Sequence, residues 1–448
     1  MAFVLPVPPM QDLKLKLQQS TLVSPAKQTE NQAFFLSNID QFLNYDILTV
    51  HFFKANPDFP PETVAKRLKM ALERVLVPYD FLAGRLKLNL HSGRLEIDCN
   101  SAGVGFVVAS SECSLDELGD LVCPNLGFRQ LSVQTLDNLG PEVDQLLCVF
   151  KVTSFKCGGF SIGMSTNHVL FDGVSAQIFI ENLATQAFDD KPLAIIPCND
   201  RHLLAARAPP HVEFPHPEFF KPDLPAGLGP PVFDCEREEL DYTVFSLTLN
   251  AVNYLKDKAR ESISSTSTKI TSFIVVAALI WRCKALSNYT EYNKDRVSTL
   301  FNIVDLRSRL NPSLPNSYCG NAVLGAYSSA TCDDIKKWPF SKLVELVAEE
   351  PKRMTDEYAK STIDWLEINK GLPRGEYTVS SWLRMRFGEV VYPWGKPMHS
   401  GPVVSYRKDI CWIFPGVDRV NALVSLPAKE MERFVACCRE FFPQSIIN

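Results

Sequence analysis

The sequence predicts an α/β protein of two domains, and three observations lead there. Strand-like and helix-like stretches alternate through roughly the first 190 residues, they alternate again beyond about residue 233, and a proline-rich stretch separates the two runs. At 448 residues, 46% hydrophobic and 22% charged, the chain carries far more apolar material than one small core needs.

In the first half "LTVHFFKA" reads as a strand, and "PPETVAKRLKMALERVL" reads as a helix with proline at its N-terminus, where a missing N–H does no harm. "GRLEIDC" and "LCVFKVTSF" alternate as half-buried strands do. In the second half "YTVFSLTL" leads into the helical "NAVNYLKDKARESI", and "NALVSLP" leads into "AKEMERFVACCREFF". Between Pro192 and Pro231 lie 10 of the 31 prolines, each fixing φ and removing a donor that helices and sheets require. Phe214, Phe219 and Phe220 in that stretch are too apolar for a free linker. The division expected is a domain over residues 1–190, a crossover over 191–232 and a second domain over 233–448, with a strand near 377–390 as the candidate to join the N-terminal domain.

A net charge of −5, with no block of Lys and Arg, removes the electrostatic attraction on which nucleic-acid binding depends and points to a small-molecule partner. The apolar run "ITSFIVVAALIW" is too short to span a bilayer and reads as a buried helix, so no membrane insertion is expected. The start lacks the basic n-region of a secretory signal. Thirteen cysteines without CxxC spacing suggest neither a disulfide framework nor a metal site, and the expected location is the cytoplasm.

The stretch "GGFSIGMSTNHVLFDGVSAQIF" carries the chemistry. Phe160, Ile162 and Met164 alternate as on a strand, while Val174, Ile178 and Phe179 fall at helical spacing, so His168 sits at a strand-to-helix junction. Such a junction presents a side chain from a rigid support. Asp172 follows four residues later, able to cap the helix or to orient the imidazole, and Gly173 offers backbone freedom for a tight turn. No GxSxG elbow is present, and Cys157 reads as a buried strand residue rather than a nucleophile.

"HVLFDG" in this context, with "FLAGRL", "FKCGGF", "SYCGNAV" and "YPWGKP" in order along the chain, resembles the plant BAHD acyl-CoA-dependent acyltransferases. The resemblance implies a two-domain fold like chloramphenicol acetyltransferase, with mixed sheets flanked by helices and an active-site channel between the domains. It implies an acyltransferase acting as a monomer, with acyl-CoA as co-substrate and no bound cofactor or metal. His168 is then the general base, and Asp172 a loop support acting through an arginine. Ser380 and Trp382 in "VSSWLRM" face the substrates, with Asp40 a further substrate position. Lys269, Thr271 and Ser272 ahead of a helix, together with Trp394 and Gly395, are candidate coenzyme A contacts.

The family's second signature, Asp-Phe-Gly-Trp-Gly, is here Val391, Tyr392, Pro393, Trp394 and Gly395. Its missing acid normally pairs with an arginine, for which Arg307 or Arg309 is the counterpart; Glu389, two residues upstream and on the same face of a strand as Val391, is the nearest carboxylate that could take over. The function implied is transfer of a hydroxycinnamoyl, benzoyl or short aliphatic acyl group to the hydroxyl of a plant metabolite. The alternatives are a silent accessory relative in fatty-acid elongation and an N-acyltransferase acting on an amine.

Overall fold

The computed structural model describes residues 4–6, 11–132, 146–189, 191–221, 239–261, 270–404, 407–443 and 446. In chain order the strands of its two large sheets are β1 (Val4–Pro6), β2 (Leu15–Val23), β3 (Asp46–Phe53), β4 (Val104–Ser111), β5 (Cys148–Ser154), β6 (Phe160–Asn167), β7 (Asp241–Thr248), β8 (Val297–Asp305), β9 (Val323–Thr331), β10 (Tyr377–Ser381), β11 (His399–Pro402), β12 (Ile410–Gly416) and β13 (Arg419–Leu426). One sheet runs β11-β3-β6-β5-β4-β2, the other β1-β7-β13-β12-β10-β8-β9. Both are mixed: β4 with β5, and β10 with β8 and with β12, pair in parallel.

Each sheet is backed by helices whose sequences dictate their faces. Helix α1 (Pro61–Val75) buries Val64, Leu68, Leu72 and Val75 at helical spacing and packs on α2 (Gly173–Gln186). In the second half α3 (Leu249–Arg260), α5 (Phe340–Glu349) and α7 (Ala428–Glu440) surround α4 (Ser272–Ser287). Helix α4 is apolar nearly all round, which suits an element enclosed by neighbours, and a further helix, α6, spans Asp356–Asn369. No described helix is long and apolar enough to cross a membrane.

Two expectations need correction. The segment near 377–390 does not join the N-terminal sheet: only Tyr377–Ser381 is strand, held between β8 and β12, and the chain then turns into a 3-10 helix at Phe387–Glu389. The strand that does cross is β11, which pairs with β3 from His399↔Phe52 to Pro402↔Thr49, while β1 crosses the other way to pair with β7. Cys157 is exposed on the turn between β5 and β6, not buried in a strand. The crossover, as far as it is described, is tied down: Phe219 is buried, and Phe219–Phe220 pairs with Leu372–Pro373.

Candidate active site

His168 follows directly on β6. Its N–H donates to the Tyr45 carbonyl at 2.8 Å, and its ring lies 5.3 Å from the Tyr45 ring. Asn167 Oδ1 accepts the Val169 N–H at 3.1 Å, which closes the turn, and Asp172 then caps α2 by accepting from the Ser175 N–H at 3.0 Å.

Asp172 turns its carboxylate away from the imidazole. Both oxygens meet Arg307, at 2.9 Å each, and one also accepts the Ala322 N–H at 3.0 Å. Burial pushes the Asp172 carboxyl up, but the Arg307 guanidinium and these donors outweigh it and hold the group below its ordinary range. Asp172 therefore supports the loop and does not touch the base. Gly173 has no positive φ; a Cβ there would lie 2.0 Å from Met385 Cε, so close packing requires the glycine.

A second buried arginine, absent from the expectations, holds the other side of the same loop. Arg201, from the crossover, donates to the carbonyls of Val169 at 3.3 Å, Cys319 at 2.8 Å and Leu170, and pairs with Asp40 at 3.0 Å. Asp40 is fully buried, accepts from Ser37 and from Asn321, and does not line the cavity, so its expected substrate contact is replaced by a structural one. Asn321 was also missed. Its Nδ2 donates to Asp40 Oδ1 at 2.7 Å and to the His168 carbonyl at 2.8 Å. The "SYCGNAV" motif thus supplies the bed on which the histidine loop rests.

Burial lowers the His168 pKa, with Arg407 adding to it, against the opposing pull of its own carbonyl, Asp172 and Asn321. The net direction favours the neutral imidazole, the form able to take a proton. Nδ1 is buried without a hydrogen-bond partner. The residue lines a cavity of about 1080 Å³ whose walls come from both halves, including Tyr45 and Phe171 on one side and Thr271, Ser380, Trp382 and Trp412 on the other. That volume lies just above the range of ordinary ligand pockets, roughly 300–1,000 Å³.

Ser380 and Trp382 thus share the cavity with His168; Trp382 is buried edge-on against Phe387 at 5.8 Å. Thr271 and Ser272 line it too, Thr271 capping α4 through the Ile274 N–H at 3.3 Å. Lys269 lies outside the described residues. Trp394 and Gly395 do not line this cavity. Trp394 stacks on Tyr392 at 5.0 Å and meets Phe53 at 6.3 Å and Phe160 at 6.4 Å, at the end of β3 and β6 opposite His168. Gly395 has φ +110° and closes a tight turn with Tyr392.

The pairing proposed for the divergent signature is absent. Arg307 is committed to Asp172 and Asp305, Arg309 donates to the Pro351 and Met354 carbonyls, and Glu389 is exposed on the 3-10 turn rather than on a strand. Val391 itself is 54% exposed, so no buried cation waits on that position.

Residues 13–440 match the Transferase family. The chain is 51% identical over 435 residues to Acyltransferase GLAUCE of Arabidopsis thaliana, covering 95% of each chain. The chain belongs to the BAHD acyltransferase family. It is also 32% identical to the fatty alcohol:caffeoyl-CoA acyltransferase of the same plant, covering 94% of this chain and 97% of that one. Vinorine synthase shares the fold of this BAHD transferase at a TM-score of 0.73 and 21% identity, over 97% of this chain and 100% of that one.

Proposed function

We propose that this BAHD transferase moves an acyl group, hydroxycinnamoyl, benzoyl or short aliphatic, from coenzyme A to the hydroxyl of a plant metabolite, by direct attack in a ternary complex. The observation that carries the reading is His168: a half-buried, neutral-favoured imidazole on a loop clamped by Arg201 and Arg307, facing a cavity large enough for two substrates. The base takes the hydroxyl proton as the oxygen attacks the thioester carbonyl. The Ser380 hydroxyl stabilises the developing oxyanion, and the coenzyme A thiolate leaves with the proton returned by the imidazolium. Thr271 and Ser272, at the N-terminus of α4, meet the coenzyme, and Trp382 walls the acceptor.

The divergent signature is what motivates a silent accessory role, and its location weakens that motive. Seven residue steps along β6 separate Phe160, beside Trp394, from Asn167, a distance of about 23 Å. An amine acceptor is the second reading, favoured by the Glu181 carboxylate on the cavity wall. Purified protein screened with acetyl-, benzoyl-, p-coumaroyl-, caffeoyl-, feruloyl- and long-chain acyl-CoA against phenolic, aliphatic and amine acceptors, with products read by mass spectrometry, tests both. Esters and acceptor-dependent release of free thiol, lost on His168→Ala, are expected. Amides would replace the hydroxyl reading, and thiol release indifferent to His168 would overturn the mechanism.

A further inference from the structure

In a Ser-His-Asp triad a carboxylate bonded to Nδ1 holds the imidazole in its working orientation. His168 has no such holder: Asp172 is turned toward Arg307, and Nδ1 is buried without a hydrogen-bond partner. The main-chain N–H of His168 is tied to the Tyr45 carbonyl, but the side chain can still change rotamer unless something packs against the ring. Tyr45 does so, its ring tilted by 49° to the imidazole with centroids 5.3 Å apart.

Tyr45 is itself held from the opposite half. The Arg407 guanidinium, on the return from β11 to β12, lies 4.3 Å from the centre of the Tyr45 ring, a cation–π contact. Asp409 fixes that guanidinium, accepting from Nε at 3.0 Å and from Nη2 at 2.5 Å. The Arg407 side chain is only 10% exposed and does not line the catalytic cavity, whereas Tyr45 does. Any influence of Arg407 on the chemistry therefore passes through the phenol ring or through its charge.

We propose that Arg407 is a positioning residue of the transfer reaction: anchored by Asp409, it fixes the Tyr45 ring and through it the plane of the His168 imidazole. This rests on the reading of His168 as the base. A cation serves here where a carboxylate would not. Burial already disfavours the imidazolium, and the Arg407 charge adds to that, so the proton-accepting form is kept until the acceptor arrives. Of the other charged groups around the loop, Asp172 is matched by Arg307 and Asp40 by Arg201, while Asp409 tempers Arg407 itself.

The test follows the imidazole Hε1 signals of the seven histidines of the full-length protein through a pH titration, with the His168 signal assigned by its loss in His168→Gln. Arg407→Gln should move the His168 midpoint to higher pH, and Asp409→Asn, which leaves the cation untempered, should move it to lower pH. Arg407→Lys, which keeps the charge but not the flat stack, should hold it near the wild-type value. Asp409 is 35% exposed, so Asp409→Asn carries the sign test should Arg407→Gln not fold. In the acyl-transfer assay Arg407→Gln and Arg407→Lys should both lower kcat about tenfold with the KM for acyl-CoA unchanged, since a misplaced ring costs the chemical step and not binding. An unmoved midpoint in Arg407→Gln or Asp409→Asn, shifts of the same sign in the two, or a wild-type kcat in Arg407→Lys overturns the proposal. The titration needs no substrate: the expected shifts in a protein that transfers no acyl group would uphold the link from Arg407 through Tyr45 to His168 and strike the transfer reading instead.

Discussion

Acidifying the protein from pH 7 to pH 5 should weaken the seam where β11 joins β3, because His51 sits there buried and neutral. The residue is 1% exposed, its Nδ1 lies 2.8 Å from Ser400 Oγ, and its Nε2 has no partner. Burial, with His399 adding like-charge repulsion, lowers its pKa from 6.5 to about 4. The sign follows directly. The unfolded chain takes up the proton near pH 6.5 and the folded chain resists it until about pH 4, so stability is full above the first value and falls toward the second. Integrating that difference in proton uptake gives a loss of about 2 kcal/mol between pH 7 and pH 5, approaching about 3 kcal/mol well below pH 4. His399, also lowered to about 4 by burial but opposed by Asp120, adds less because it is partly exposed. Urea unfolding of the wild type and His51→Asn at pH 7, 6 and 5 isolates the effect, since the asparagine amide stands where Nδ1 does and can hydrogen-bond Ser400 Oγ in either direction but does not titrate. The wild type should lose about 2 kcal/mol more than the variant across that range. Parallel losses in the two proteins would refute the reasoning.

His168→Ala should lower turnover by ~10²–10⁴-fold with melting temperature and coenzyme A binding nearly unchanged; a near-wild-type rate in the acyl-transfer assay at neutral pH would remove its assignment as base. Asp172→Ala leaves the buried Arg307 facing only the half-exposed Asp305, and breaking such a pair costs about 3–5 kcal/mol, so soluble yield and denaturant midpoint should drop with activity. A stable Asp172→Asn enzyme with a shifted pH–rate profile would argue instead for direct contact with the histidine. Gly173→Ala should push Met385 into the cavity and raise KM more than it lowers stability, with Met385→Ala in the same chain restoring KM; an unchanged KM in the single variant would contradict the close packing.

Local pattern made the elements around the site readable. Alternation along Phe160–Met164 and helical spacing beyond Gly173 located the histidine between a strand and a helix because both periodicities are properties of a few neighbouring residues. The cap made by Asp172 was readable for the same reason. Arg201 and Asn321 were not, since each reaches the histidine loop from far along the chain, 31 residues from Leu170 and 153 from His168. Nothing in the composition around either marks a buried guanidinium or amide. Asp40 was misassigned because its role depends on Arg201 meeting it in the interior, and the crossing of β11 was missed because four residues containing Gly and Pro show no strand period of their own. The hypothesis about Glu389 failed on an assumption of strand geometry. Its residue lies on a 3-10 turn, where the two-residue repeat that would share a face with Val391 does not hold.

The two crossing strands lace the halves together. β1 borders the seven-stranded sheet and β11 borders the six-stranded one, each held by a ladder to a strand of the opposite half. Parting the halves like jaws would strip both ladders and leave their N–H and C=O groups without partners. Access to the cavity between them must then come without separating the sheets. Side chains such as Met385 and Trp382, which line that cavity with His168, are left as the parts whose movement can widen or narrow it.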